Sequence, residues 1–407
     1  MSEGSFIAWV DYSPTERDRM RQAIALFKES DTRDELGLGS IRDTLADLLF
    51  PGTSTIQTRL RYFLIVPWLY QELDTARVTS GNVTHRLRQR ELDLIEPLIK
   101  SDPEAAGVFG AVSGRTVQRL PSSVYWNGLR TWGLLQLDVS QDAFHRAWDE
   151  IREHNKHAVV TDDAGVAPDV IRAWDPQMPD PPSEDWAVVA SLDVTRKEAD
   201  YLQHRMQVGE CKGSLLAHFS HTRADTAATF PWDAAEKLPP NLGELVYQAR
   251  AFSQVMHGAA WLYNLGLCRK SSLAAHLERI EEYETALEAW ANQDAEVFTG
   301  WEPASLWELL AARGVVIPKG RGDVQFVEDW VARVRSQGPA GVANDDYATK
   351  LIADRELAIK KMVKARFFDS RARDRWGGRS GVARMDFRWS RVRTLLHDLY
   401  NGLERED

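Results

Sequence analysis

The sequence predicts a mostly α protein of two helical lobes with few short strands. Three observations carry that prediction. Capping residues stand immediately ahead of apolar residues spaced three and four apart. The C-terminal half holds long runs of the same period. Short, β-branched, strand-like stretches are almost confined to Phe6–Val10 and Trp186–Leu192.

In chain order, Ser13-Pro14-Thr15-Glu16 is a capping box with proline at the first helical position, and Met20, Ile24 and Phe27 follow on one face. A second helix starts at Ser40, with Ile41, Leu45, Leu48 and Leu49 as its stripe, and Phe50-Pro51-Gly52 ends it. Thr53-Ser54 then opens a longer helix, which Pro67 should kink or split. Residues 83–100 and 140–155 read as further amphipathic helices. Between Thr161 and Asp185, seven acidic residues, one arginine and five prolines make a poor helix that buries little, so the segment reads as a linker or long surface loop. Thr195-Arg196-Lys197-Glu198 is a second capping box. Beyond it, Leu242 to Tyr263 and Leu273 to Trp290 carry matched apolar stripes joined by the turn Leu267–Ser272, which predicts an antiparallel helical hairpin. Helices near 304–314, 321–336, 344–368 and 387–403 complete the chain. The division expected is an N-terminal helical lobe (1–160), an acidic Pro-rich connector (161–185) and a C-terminal helical lobe (186–407) whose end is basic.

Composition narrows the function classes. The 407 residues are 43% hydrophobic and 27% charged, ordinary for a globular protein, with a net charge of -10. That acidic total argues against a whole-surface nucleic-acid binder. No run of apolar residues is long enough to span a bilayer, the opening residues lack the pattern of a secretory signal, and Cys211 and Cys268 form no disulfide framework; the expectation is a cytoplasmic protein with no membrane partner.

Several stretches are distinctive as wording: FIAWVDYS from Phe6, GLGSIRDTLADLLFPGTSTIQTRLRYFLIVPW, RLPSSVYWNGLRTWGLL, ARAFSQVMHGAAWLYNL and FRWSRVRTLLHDLYNGL. Together they resemble one uncharacterised bacterial family of unknown function, over nearly the whole chain. The resemblance implies an accessory member of bacterial anti-phage gene clusters, encoded near helicase-like and nuclease-like genes. It supplies no catalytic residue to carry over.

The familiar catalytic motifs fail. There is no phosphate-cradling Walker loop: the sequence PKGRGD at 318–323 lacks the spacing. Neither the His-Glu-x-x-His motif nor a Gly-x-Ser-x-Gly elbow occurs. His154-x-Lys156 with Asp162 misses the phospholipase D-type nuclease spacing by one residue, and reads better as a solvated helix end. Asp200 with Glu210-Cys211-Lys212 resembles a restriction-type metal site, yet Asp200 lies on a helix rather than on a strand. Cys211, His218 and His221 are one ligand short of a structural zinc set. His257, inside an apolar stripe, reads as a hydrogen-bonded core histidine. No cofactor or metal is expected. Trp9, Trp68, Trp261 and Trp290 lie on apolar faces as core, whereas Trp126, Trp132, Trp376 and Trp389 stand among arginines and admit either a core or a stacking role.

Charge distribution is the most informative feature. Between Lys350 and Arg393 stand fourteen Lys/Arg against five Asp/Glu, a local +9 that leaves -19 for the rest. Such asymmetry fits phosphate binding, docking on an acidic partner, or pairing with the chain's own acids. Candidate binding residues are Arg371, Arg373, Arg375, Arg379, Arg388, Arg391 and Arg393. Lesser groups are Arg59 with Arg61, and Arg115, Arg119 and Arg130 around the Pro121 helix. The function expected first is a non-catalytic subunit of a DNA-defence assembly, binding nucleic acid or a nuclease- or helicase-like partner. A metal-dependent nuclease and a helix-turn-helix regulator, its motif near 116–135, are the alternatives.

Overall fold

The computed structural model describes residues 34–102, 104, 106–160, 170–316 and 322–406, with the side chains of 157–160 left aside. The capping box at Ser13, the Phe6–Val10 strand, Trp9 and Asp162 lie outside the described residues. Helices account for the fold. In chain order they are α1 (Gly39–Leu49), α2 (Tyr62–Thr75), α3 (Ser80–Asp93), α4 (Ile95–Ser101), α5 (Pro121–Thr131), α6 (Gln141–Val160), α7 (Arg196–Gln207) and α8 (Leu215–Thr222). There follow α9 (Pro240–Lys270), α10 (Ala274–Leu277), α11 (Ile280–Ala291), α12 (Ala295–Gly300), α13 (Pro303–Ala312), α14 (Asp323–Gln337), α15 (Asp346–Lys360), α16 (Ser370–Asp374) and α17 (Trp389–Glu404). The β structure among the described residues is one bridge, Leu135 to Trp174. The mostly α class holds.

The chain forms two compact units that interleave in sequence. Unit A takes residues 1–42 and 248–385; unit B takes 43–247 and 386–407.

Unit B is built on α2, which buries ten of its fourteen residues and is apolar around its circumference, as a helix at a core centre must be. It packs on α3 and α5, and α3 packs on α6. The helix runs unbroken through Pro67, because burial of its neighbours outweighs the one backbone hydrogen bond that proline removes. It begins at Tyr62, not at Thr53. Residues 53–61 spend their polar groups on distant partners instead. The backbone amides of Thr58 and Arg59 both donate to the Tyr125 hydroxyl, and the Leu60 amide donates to Asp398 at 2.9 Å. Those tertiary bonds satisfy N–H groups that a local helix would otherwise have claimed.

The Thr195 capping box forms as expected: Glu198 N–H donates to Thr195 Oγ1 and Thr195 N–H to Glu198 Oε2. It starts α7, which packs on α8 and α17. The Trp186–Leu192 stretch is not a strand. It runs through turns that bury Trp186 and leave Val188 and Val189 71% and 72% exposed, and among the described residues no strand lies beside it to offer a ladder. The Pro-rich residues 170–185 bury more than their composition suggests. Asp175 and Met178 are buried, and the Trp68 indole N–H donates to the Pro179 carbonyl at 2.8 Å.

In unit A, the 248–270 part of α9 pairs with α11 as the expected hairpin. The Trp290 indole N–H donates to the Gln254 carbonyl at 2.7 Å, and Trp261 meets Tyr283 at 5.9 Å between ring centroids, so the two helices run antiparallel. Gly258 is what admits that contact: a Cβ there would sit 2.3 Å from the Trp290 ring. Trp330 of α14 closes the same core through its indole N–H, which donates to the Val255 carbonyl at 2.9 Å. At the start of the described chain, Asp34 accepts from the amides of Leu38 and Gly39 and caps α1.

All four undecided tryptophans are core: Trp126, Trp132, Trp376 and Trp389 are 8%, 1%, 5% and 0% exposed. Trp132 lies flat on Phe63 at 3.8 Å. None offers a face to a base.

Candidate nucleic-acid interface

The basic stretch that is continuous in sequence is divided between the two compact units. Arg371, Arg373, Arg375 and Arg379 belong to unit A, and Arg388, Arg391 and Arg393 to unit B.

In unit A, a buried ionic network sorts the cations into those used inside and those turned outside. Glu35, 7% exposed, takes Lys360 and the Ser380 hydroxyl as partners and Arg366 at 2.8 Å. Burial alone would raise its carboxyl, but Lys360 and Arg366 outweigh burial and hold it at about 2. Glu356, fully buried, accepts from the Tyr263 hydroxyl at 2.6 Å, from Lys360 at 3.0 Å and from the Phe367 amide at 2.9 Å. Burial, with Glu35 and Glu356 alongside, pushes the Tyr263 phenol far above its ordinary value. Arg355 spans Asp323 and the Leu36 carbonyl. Arg373 donates to the Arg366 carbonyl, and Arg379 pairs with Glu282.

What is left faces outward. Lys361, Lys364, Arg371 and Arg375 are exposed and, among the described residues, have no ion-pair or hydrogen-bond partner for their side chains. Local geometry explains why they project. Lys361 adopts a left-handed conformation (φ 61°) that ends α15, tight turns carry the chain through 362–369, and Asp369 caps α16 by accepting from the Ala372 amide at 2.7 Å. Residues 359–375 hold seven Lys/Arg against two Asp. Lys361 and Lys364 were not singled out from sequence; the run Lys360-Lys361-Met362-Val363-Lys364 was the available signal.

In unit B most of the singled-out arginines are committed to the protein itself. Arg59 grips Asp398 with its Nε at 2.9 and 3.0 Å, and Arg61 meets Glu198 at 2.7 Å and the Ser191 carbonyl at 3.0 Å while 6% exposed. These two are staples of the fold, each held by a buried carboxylate. Arg388 spans Asp47 and the Thr53 carbonyl, Arg391 donates to the Thr55 carbonyl, and Arg393 lies 3.4 Å from the Ala228 carbonyl. Arg130 pairs with Asp138 and Glu210, and Arg115 with Asp93 in an exposed bridge. Arg119 is exposed.

Among the described residues, the metal-site candidates do not assemble. Asp200 is drawn to Arg196 and Glu210 to Arg130, so the two carboxylates do not converge. Among the described residues no three of His, Cys, Asp and Glu are placed to hold a metal ion. Cys211 is buried, and burial with Glu210 nearby pushes its thiol up to about 12. His218 and His221 line an open cleft of about 290 Å³ with Gln207, Ser214 and Asn241. His257 is the core histidine expected. Its Nε2 lies 2.8 Å from the Val382 carbonyl, and burial holds its imidazole down at about 4. The Pro121 helix, α5, buries eight of its eleven residues, leaving little surface to read a groove as a recognition helix must.

A family of unknown function, DUF6361, matches residues 4–402. The chain belongs to that family. No curated protein and no solved structure matches it. Membership of DUF6361 thus names no reaction, and the surface chemistry carries the functional reading. Among the described residues, no helix is long and apolar enough to cross a membrane.

Proposed function

We propose that this chain is a non-catalytic, cytoplasmic subunit of a bacterial multi-protein DNA-defence assembly, and that it binds nucleic acid through the cationic segment 361–375 of unit A. The observation that supports this reading is the sorting of charge just described. The network around Glu35 and Glu356 consumes the inner cations, while Lys361, Lys364, Arg371 and Arg375 stay in water unpaired. Keeping four cations without a direct partner within fifteen residues that hold only Asp369 and Asp374 as acids costs self-repulsion, which a polyanion would relieve with release of its counterions. The anti-phage setting and the helicase-like or nuclease-like partners come from the family resemblance, and such partners would supply the chemistry.

Electrophoretic retardation tests the assignment. Replacing Lys361, Lys364, Arg371 and Arg375 with Ala together should abolish retardation of DNA. Replacing Arg388, Arg391 and Arg393 should weaken it far less. Equal losses from the two sets, or no retardation by the native protein at low salt, would overturn the reading; in the second case a pull-down with neighbour-encoded proteins would identify an acidic protein as the ligand.

A further inference from the structure

Phe367 and Phe368 are adjacent in sequence and opposite in fate. Phe367 is 2% exposed, its ring against Tyr263 at 5.7 Å, and its amide donates to buried Glu356. Phe368 is 43% exposed. Lys270 ties the two together: its Nζ donates to the Phe367 carbonyl at 3.1 Å and lies 5.7 Å from the Phe368 ring centroid. The anchored neighbour and the bonds from the amides of Phe368 and Asp369 to the Ala365 carbonyl fix the backbone under the exposed ring. Little further backbone has to be ordered when a ligand meets the ring. An exposed aromatic on an anchored backbone, with Lys364 four residues before it, Arg371 three residues after it and the Lys270 ammonium over one face, is the combination that stacks a base on its other face while cations hold the flanking phosphates.

We infer that the segment around Phe368 takes single-stranded rather than duplex nucleic acid, with one base stacked on the Phe368 ring. This rests on the nucleic-acid reading above and narrows it. A duplex keeps its bases stacked on each other, so a ring reaches a base face there only by prying a step apart, at a cost a single strand does not impose. Groove readout needs an inserted helix or ribbon, and α16 is five residues long.

The test is fluorescence anisotropy with an oligothymidine and a duplex of equal length, using native protein, Phe368→Ala, Phe368→Trp and the four-cation Ala variant. Phe368 is solvent-exposed, so its truncation should leave the circular dichroism spectrum and melting temperature unchanged, and those are recorded as controls. The expected result is tighter binding of the single strand and a loss of about tenfold or more in Phe368→Ala. The salt dependence should keep its slope, and Phe368→Trp should restore affinity. Equal affinity for duplex, or an unchanged Phe368→Ala beside a crippled four-cation variant, would overturn the single-strand assignment and leave nucleic-acid binding standing. Binding of neither probe by the native protein would sink both.

Discussion

At the residue scale, the same side chain does opposite work according to what surrounds it. Arg61 and Arg391 look alike in sequence, yet one is 6% exposed against a buried Glu198 and the other is exposed, with its Nε on the Thr55 carbonyl. Arg61→Ala would strand a buried carboxylate and should cost about 3–5 kcal/mol. Arg391→Ala should cost at most about 1 kcal/mol. Urea melts of the two variants check the contrast, and near-equal midpoints would contradict it. Glu91 gives a pH-dependent case. It is 5% exposed, and burial raises its carboxyl to about 7, although the Ser122 amide and hydroxyl both donate to it. A folded-state value above the unfolded one makes the native protein bind the extra proton. The resulting stabilisation is full below the unfolded value of about 4.5 and is lost as pH rises through about 7. Glu91→Gln, which keeps an acceptor for the Ser122 amide and adds a donor, should therefore raise the melting temperature at pH 8 and change it little at pH 4.5. A gain that grew toward low pH would contradict the sign.

At the scale of elements, Gly258 and Gly243 both lie in α9 and should answer alanine in opposite directions. Gly243 has open space around it, so Gly243→Ala should stabilise by about 0.5–1 kcal/mol through helix propensity. Gly258→Ala meets the Trp290 ring and should destabilise by about 1–3 kcal/mol despite the same propensity gain. Denaturant midpoints measure both; stabilisation by Gly258→Ala would mean that α9 and α11 are not in contact there. These elements were legible because period and caps are local signals: the Thr195 box, the α9–α11 hairpin and the stop at Phe50-Pro51-Gly52 all follow from neighbours in sequence. What was not legible was set by distant partners. The start of α2 is delayed by bonds from residues 53–61 to Tyr125 and Asp398, at separations of 66 to 338 residues. The strand expected at Trp186–Leu192 finds no pairing partner among the described residues.

At the scale of the whole molecule, the charge asymmetry was readable in sequence but its use was not. A count of +9 between 350 and 393 does not distinguish Lys360 and Arg366, closed around Glu35, from Lys361 and Lys364, which face water. Nor does it show that 350–385 and 386–393 fall in different compact units. The proposed site is therefore narrower than the twelve arginines read from sequence: it keeps Arg371 and Arg375 and adds Lys361 and Lys364, signalled in sequence by the run Lys360–Lys364, and Phe368, which its exposure singles out. The measurement that tests this most directly is the slope of log affinity against log salt for single-stranded DNA. Each phosphate contact contributes roughly 0.7. Replacing Lys361, Lys364, Arg371 and Arg375 with Ala should flatten the slope by roughly 3. An unchanged slope in a folded variant would mean that these four cations touch no phosphate, and the assignment of the surface would fall.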